Sequence, residues 1–242
     1  METLSIRQTQ LLKAIIDEYI DTAEPVGSVN LERKYNLGVS PATIRNEMST
    51  LTEKGFLRQP HTSAGRVPTP IAMKFYINQL MDEKAISVTD EVHAKESIWD
   101  SRDNILELLN EATHNLSDKT DLLAIAVLDD GTIASYGHST LFHNPEFYDY
   151  QVVQSLFNVI EERKRMHKLF FEHLTGMTPI EVLFGEELGW DFFEPIGIVA
   201  SRFQAGSHEG AIGVLGPARL NYSRVIPMVR YFGRIIAEIT HE

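Results

Sequence analysis

The chain has 242 residues, 43% of them apolar and 23% charged, with no cysteine and a net charge of −12 at neutral pH. That length buries enough surface to fold without staples, and the lack of cysteine excludes disulfide frameworks, thiolate metal sites, iron–sulfur clusters and thiol nucleophiles. No apolar run reaches the ~20 residues of a spanning helix and the first residues lack the form of a signal peptide, so a cytoplasmic protein with no membrane partner is expected.

From Ser5 to Thr22 the apolar residues Leu11, Leu12, Ile15, Ile16, Tyr19 and Ile20 follow helical spacing, with Ser5 as N-cap. Glu24-Pro25-Val26-Gly27 ends this helix, and a second, capped by Ser28, runs to Asn36. Gly38 allows the tight turn that follows. Ser40 as N-cap and Pro41 at the first helical position start a third helix that Gly55 stops. On it Ile44, Met48 and Leu51 share an inward face, while Ala42, Arg45, Asn46, Ser49 and Glu53 point the other way. Phe56 to Pro60 reads as a strand, His61 to Arg66 as a turn and Val67-Pro68 as a return strand, before Thr69-Pro70 caps another helix. Three helices and a hairpin are the pattern of a winged helix-turn-helix.

Met81 to Thr89 reads as a linker and Asp90 to Leu116 as one long helix, whose apolar residues Ile98, Ile105, Leu109, Ala112 and Leu116 suggest a coiled-coil seam. Leu122 to Leu128 is a buried strand, paired with Thr132 to Tyr136 through the Asp129-Asp130-Gly131 turn. Phe147 to Leu174 reads as mainly helix, the stretches 180–184, 196–203 and 210–215 as strands, and Asn221 to Ile239 as a closing helix. The fold class expected is α+β, in three parts: a winged-helix domain over 1–80, a linker with a long helix over 81–118, and an α+β domain over 119–242.

The charge divides unevenly. Residues 1–80 hold nine Lys/Arg and eight Asp/Glu, and the stretch from Ser28 to Tyr76 has seven basic residues against three acidic ones. Affinity for DNA depends on the charges at the contact, so an acidic chain can still carry a nucleic-acid face. A recognition helix enters the major groove N-terminal end first. There Arg45 matches a guanine edge and Asn46 an adenine edge, while Ser40, Thr43 and Ser49 suit nearby phosphate or base contacts. The turn His61-Thr62-Ser63-Ala64-Gly65-Arg66 is a small tip with one guanidinium, suited to phosphate or a minor groove, so His61, Thr62, Ser63 and Arg66 complete the candidate DNA-binding set. A solvated helix face and a plain turn are the alternatives.

The nine histidines show no metal-ligand spacing, and no H-E-x-x-H, G-x-S-x-G or phosphate-binding loop occurs. No metal, cofactor or enzymatic activity is expected.

The stretches Glu24-Pro25-Val26-Gly27-Ser28, Ser40-Pro41-Ala42-Thr43-Ile44-Arg45-Asn46-Glu47-Met48 and His61-Thr62-Ser63-Ala64-Gly65-Arg66-Val67-Pro68-Thr69 resemble the HrcA heat-inducible transcription repressors. So do Asn144 to Phe147, Gly185-Glu186-Glu187 and Gly210 to Pro217. The resemblance implies a winged-helix repressor that dimerises, binds an inverted-repeat operator ahead of chaperone genes, carries a GAF-like domain and depends on the GroEL chaperonin. It makes 1–80 the DNA-binding domain, 81–118 its connection and 119–242 the regulatory and dimerisation domain. It transfers most directly to Arg45, Asn46 and Arg66. Family members are longer, with an inserted dimerisation domain for which Asp129 to Pro145 is too short, so the dimer interface is assigned to the helix around Ile98 to Leu116 and the GAF-like surface. The alternative is a winged-helix regulator whose GAF-like domain binds a small effector.

Overall fold

The structure is a computed structural model and describes residues 4–241. Contacts divide the chain into two compact units, meeting between Asp82 and Glu83.

The first unit is built on α1 (Ile6–Thr22), α2 (Ser28–Lys34) and α3 (Pro41–Glu53), followed by the short strands β1 (Leu57–Arg58) and β2 (Val67–Pro68) and by α4 (Pro70–Gln79). Local chemistry sets each start. Ser5 and Gln8 form a reciprocal capping box at α1, Ser40 accepts from the Thr43 amide with Pro41 behind it, and Thr69 accepts from the Ala72 amide ahead of α4. At α2 the N-cap is Gly27 and Ser28 is the first helical residue, one position from the expected start. Leu12, Ile15, Ile16, Leu31, Ile44 and Leu51 are fully buried and join the three helices. Phe56 meets Phe75 edge-on at 5.6 Å between ring centres. The Tyr76 hydroxyl donates to Asp17 at 2.7 Å, tying α4 to α1, and burial, reinforced by that carboxylate, pushes the phenol up, so it stays a donor.

The second unit is α+β. Helices α5 (Val88–Asp100) and α6 (Ile105–Thr120) precede β3 (Leu123–Leu128) and β4 (Ile133–Tyr136). Two short 3-10 turns lead to α7 (Tyr150–Glu161), α8 (Arg163–His167) and a π-helical turn over Lys168–His173. Then come β5 (Glu181–Phe184), the single turn α9 (Gly185–Leu188), β6 (Ile196–Ala205), β7 (His208–Pro217) and α10 (Tyr222–His241). The strands form one antiparallel sheet in the order β4-β3-β7-β6-β5. All six residues of β3 are buried, so both sheet faces are covered there. One core cluster joins Leu123, Ile125 and Val127 to Leu156, Val159, Phe170 and Phe193.

One expected element is corrected. Asp90 to Leu116 is two helices, because the polar run Ser101-Arg102-Asp103-Asn104 ends α5 and Asn104 caps α6 through the Leu106 and Glu107 amides. The two pack on each other through the Ser97 hydroxyl, which donates to Glu111 and accepts from Asn115. Ile98, Leu109, Ala112 and Leu116 are each 0% exposed. Four of the five expected seam residues are therefore core of this unit, and Ile105 is half-buried beside them.

Candidate nucleic-acid interface

The candidate face lies wholly in the first unit. Burying Ile44, Met48 and Leu51 turns the opposite side of α3 outward, leaving Ala42, Arg45 and Asn46 exposed. Among the described residues neither the Arg45 nor the Asn46 side chain has a partner, although their carbonyls accept from Ser49 Oγ at 3.1 Å and Thr50 Oγ1 at 3.3 Å. Ser40 and Thr43 are already engaged at the start of the helix: Ser40 Oγ takes the Thr43 amide at 3.3 Å and lies 3.1 Å from Thr43 Oγ1. They fix the position of the helix end while remaining near its surface.

The hairpin loop is fastened to the rest of the unit at two points and closed on itself at its tip. Val26 and Arg66 exchange both backbone hydrogen bonds at 2.9 Å, forming an isolated antiparallel bridge between the segment before α2 and the far side of the loop. Gly65 makes that approach possible, since a Cβ there would stand 2.3 Å from the Val26 carbonyl oxygen. Arg66 Nε donates to Thr52 Oγ1 at 3.2 Å, and Thr52 in turn donates to the Met48 carbonyl at 2.8 Å, which links the loop to the last turns of α3. The tip is closed by Gln59, whose amide nitrogen donates to the carbonyls of Thr62 at 2.9 Å and Ala64 at 3.0 Å.

These ties leave a groove of about 340 Å³ between α3 and the loop, lined by Arg45 and Met48 of α3, by Gln59 and Thr62 to Arg66 of the hairpin, and by Val26 to Ser28. Of the sequence-derived candidates, Arg45, Thr62, Ser63 and Arg66 come together in this groove. Asn46 and Ser40 lie on exposed α3 surface, Ser49 is half-buried on the same helix, and His61 is exposed at the loop tip outside the groove lining. Three contributors escaped sequence reasoning: Ser28 in the groove lining, Thr52 as the partner of Arg66, and Gln59 as the clasp of the tip. Only the proximity of Gln59 to a small-residue turn hinted at the last of these.

In the second unit, side-chain pairs such as His208 with Asp129 at 2.9 Å and Arg219 with Glu146 at 2.6 Å join neighbouring elements. No group of three or more His, Asp or Glu able to hold a metal occurs among the described residues. Among them, no helix is long and apolar enough to cross a membrane.

The chain is similar to a family of transcription regulators. A family model described as HrcA protein C terminal domain matches residues 69–226, well over half of the chain, and the chain belongs to that family. The heat-inducible transcription repressor HrcA of Carboxydothermus hydrogenoformans is 27% identical over 334 aligned positions, covering 96% of this chain and 97% of the relative. The namesake from Symbiobacterium thermophilum is 46% identical over 119 residues, 49% of this chain and 35% of the relative. A crystal structure described only as a hypothetical protein superimposes with a TM-score of 0.78 at 18% identity, over 98% of this chain and 99% of that one, a likeness of fold. The 334 aligned positions exceed the 242 residues present here, so the longer relative carries positions without a counterpart in this chain.

Proposed function

We propose that the protein is a DNA-binding transcription repressor of heat-shock genes. In this reading residues 1–80 are a winged helix-turn-helix, with α3 as recognition helix and the loop between β1 and β2 as wing. Residues 119–242 form the GAF-like regulatory body, and α5 and α6, from the preceding stretch 81–118, pack into that same unit. The observation that carries the reading is the exposed pair Arg45 and Asn46, without side-chain partners among the described residues, on a helix whose other face is core, beside a loop fastened to that same helix. Membership of the HrcA family supports it. Asn46 reads an adenine edge, Ser40, Thr43 and Ser49 hold the helix end against the backbone, and His61, Thr62, Ser63 and Arg66 bring the wing to the flank. The protein acts as a homodimer in the cytoplasm, because one face of this size reads one half-site and an inverted repeat needs two. Its activity is coupled to the GroEL chaperonin, an extension that rests on the family alone.

Selection of bound duplexes from a random pool tests the reading. Enrichment of an inverted repeat is expected, and a pool that stays random after several rounds refutes it. Purified chaperonin should raise the thermal midpoint of the protein; no change with chaperonin sinks the coupling alone.

A further inference from the structure

We infer that the groove between α3 and the loop is a seat for one backbone phosphate of the DNA, held by Ser28, Arg45 and Arg66. This rests on the proposed reading and adds a site to it. The lining supplies two guanidinium groups and the hydroxyls of Ser28, Thr62 and Ser63, and contains no carboxylate. In a chain of net charge −12, a concave wall with two cations and no acid is an anion site by composition.

Ser28 supplies the independent observation. It is only 7% exposed, lines the groove, and its hydroxyl has no hydrogen-bond partner among the described residues. A buried hydroxyl normally finds a partner. Among the described residues the partnerless polar side-chain atoms that are fully closed off are His173 Nε2 and Arg202 Nε, so Ser28 Oγ keeps an opening, and the groove is the space beside it. A phosphate oxygen there would accept the hydroxyl proton that the protein leaves unused.

The two arginines are prepared differently. Arg66 spends Nε on Thr52, and Nη1 makes only a 3.4 Å contact with the Gly65 carbonyl, so the guanidinium is oriented and still has donors to give. Arg45 is exposed and unpaired among the described residues, and can close over the ligand from the α3 side. Gln59, by clasping the Thr62 and Ala64 carbonyls, keeps those acceptors from facing the anion. On this assignment Arg45 serves the backbone, and base discrimination falls to Asn46.

A methylphosphonate scan of the selected operator tests the seat, each duplex carrying one neutralised phosphate. With the full-length wild-type chain one phosphate per half-site should stand out, its neutralisation weakening binding by about tenfold. In Ser28→Ala and in Arg45→Gln that same neutralisation should cost about twofold or less, because the contact is already gone. Arg45→Gln lies on an exposed site and leaves the thermal midpoint unchanged, so the cycle is available even if the buried Ser28 variant folds poorly. Equal penalties in wild type and variants would overturn the seat while leaving DNA binding intact; failure to bind any duplex overturns the reading and the seat together. Inorganic phosphate at millimolar concentration is the second arm. A rise in thermal midpoint without DNA that disappears in Arg45→Gln would assign the groove to a free anion and overturn the backbone assignment; no rise is expected.

Discussion

At the scale of single residues, the candidate interface separates groups that specify from groups that hold. Asn46 is exposed and its side chain has no hydrogen-bond partner among the described residues, so Asn46→Ala removes no hydrogen bond from the fold. The variant should keep its thermal midpoint, lose about 1–3 kcal/mol on the operator and relax preference at one base pair; competition binding against single-base operator variants checks this, and unchanged preference refutes the assignment. Gly65 is the opposite case. A Cβ 2.3 Å from the Val26 carbonyl must push the backbone, so Gly65→Ala should destabilise the first unit by about 1–3 kcal/mol, read by urea denaturation. The sequence shows the glycine in its turn but not the strand it leans on, since Val26 lies 39 residues earlier and the bridge exists only once the fold has formed. Thr52 and Gln59 were hidden for the same reason: their partners are a side chain and two carbonyls whose positions depend on tertiary packing and turn geometry.

Among the elements, those framed by local signals were legible and those decided by long-range packing were not. Ser5, Ser40-Pro41 and Thr69-Pro70 mark the starts of α1, α3 and α4, and each of those serine or threonine hydroxyls accepts a backbone amide in the structure. The break between α5 and α6 was overlooked because apolar spacing ran through it, although Asn104 ahead of Ile105 is itself an N-cap signal. The burial of this stretch has a measurable consequence. Leu109 is fully buried within the second unit, so Leu109→Ala should cost about 2–5 kcal/mol of stability while leaving the mass of the assembled species unchanged; dissociation without loss of stability would restore the seam as an interface. The start of the second unit is held electrostatically. Glu83 receives both terminal nitrogens of Arg230 at 2.7 Å, which lowers its carboxyl below the ordinary range, and Asp90 is lowered by its bond to Lys119. Carboxylates depressed in the folded state contribute stability that is present above their unfolded pKa near ~4 and lost as pH falls through the folded value. Thermal midpoints measured downward from pH 7 should therefore drop below about pH 4, and Arg230→Ala should flatten that drop; an unchanged pH profile in the variant would exclude the pair as a contributor.

For the whole molecule, the acidic total conceals a division of labour. Residues 83–242 carry 13 basic and 25 acidic side chains, and the whole net charge of −12 resides there, leaving residues 1–82 balanced. An acidic body disfavours indiscriminate contact with a polyanion, so binding depends on the few cations that the first unit presents in the right geometry. Stoichiometry then becomes readable from salt. Each phosphate contact neutralised by a cation contributes about −0.9 to the slope of log affinity against log salt concentration. A residue present once in the chain is present twice in a dimer seated on an inverted repeat. Arg45→Gln should accordingly reduce the slope by about 1.8 if two copies occupy the operator together, and by about 0.9 if a single copy does. Titrations between low and moderate salt, with the mass of the complex from light scattering, separate the two. A reduction near the smaller value with one chain per duplex would refute the dimer while sparing the phosphate seat, and no reduction at all would remove Arg45 from the backbone.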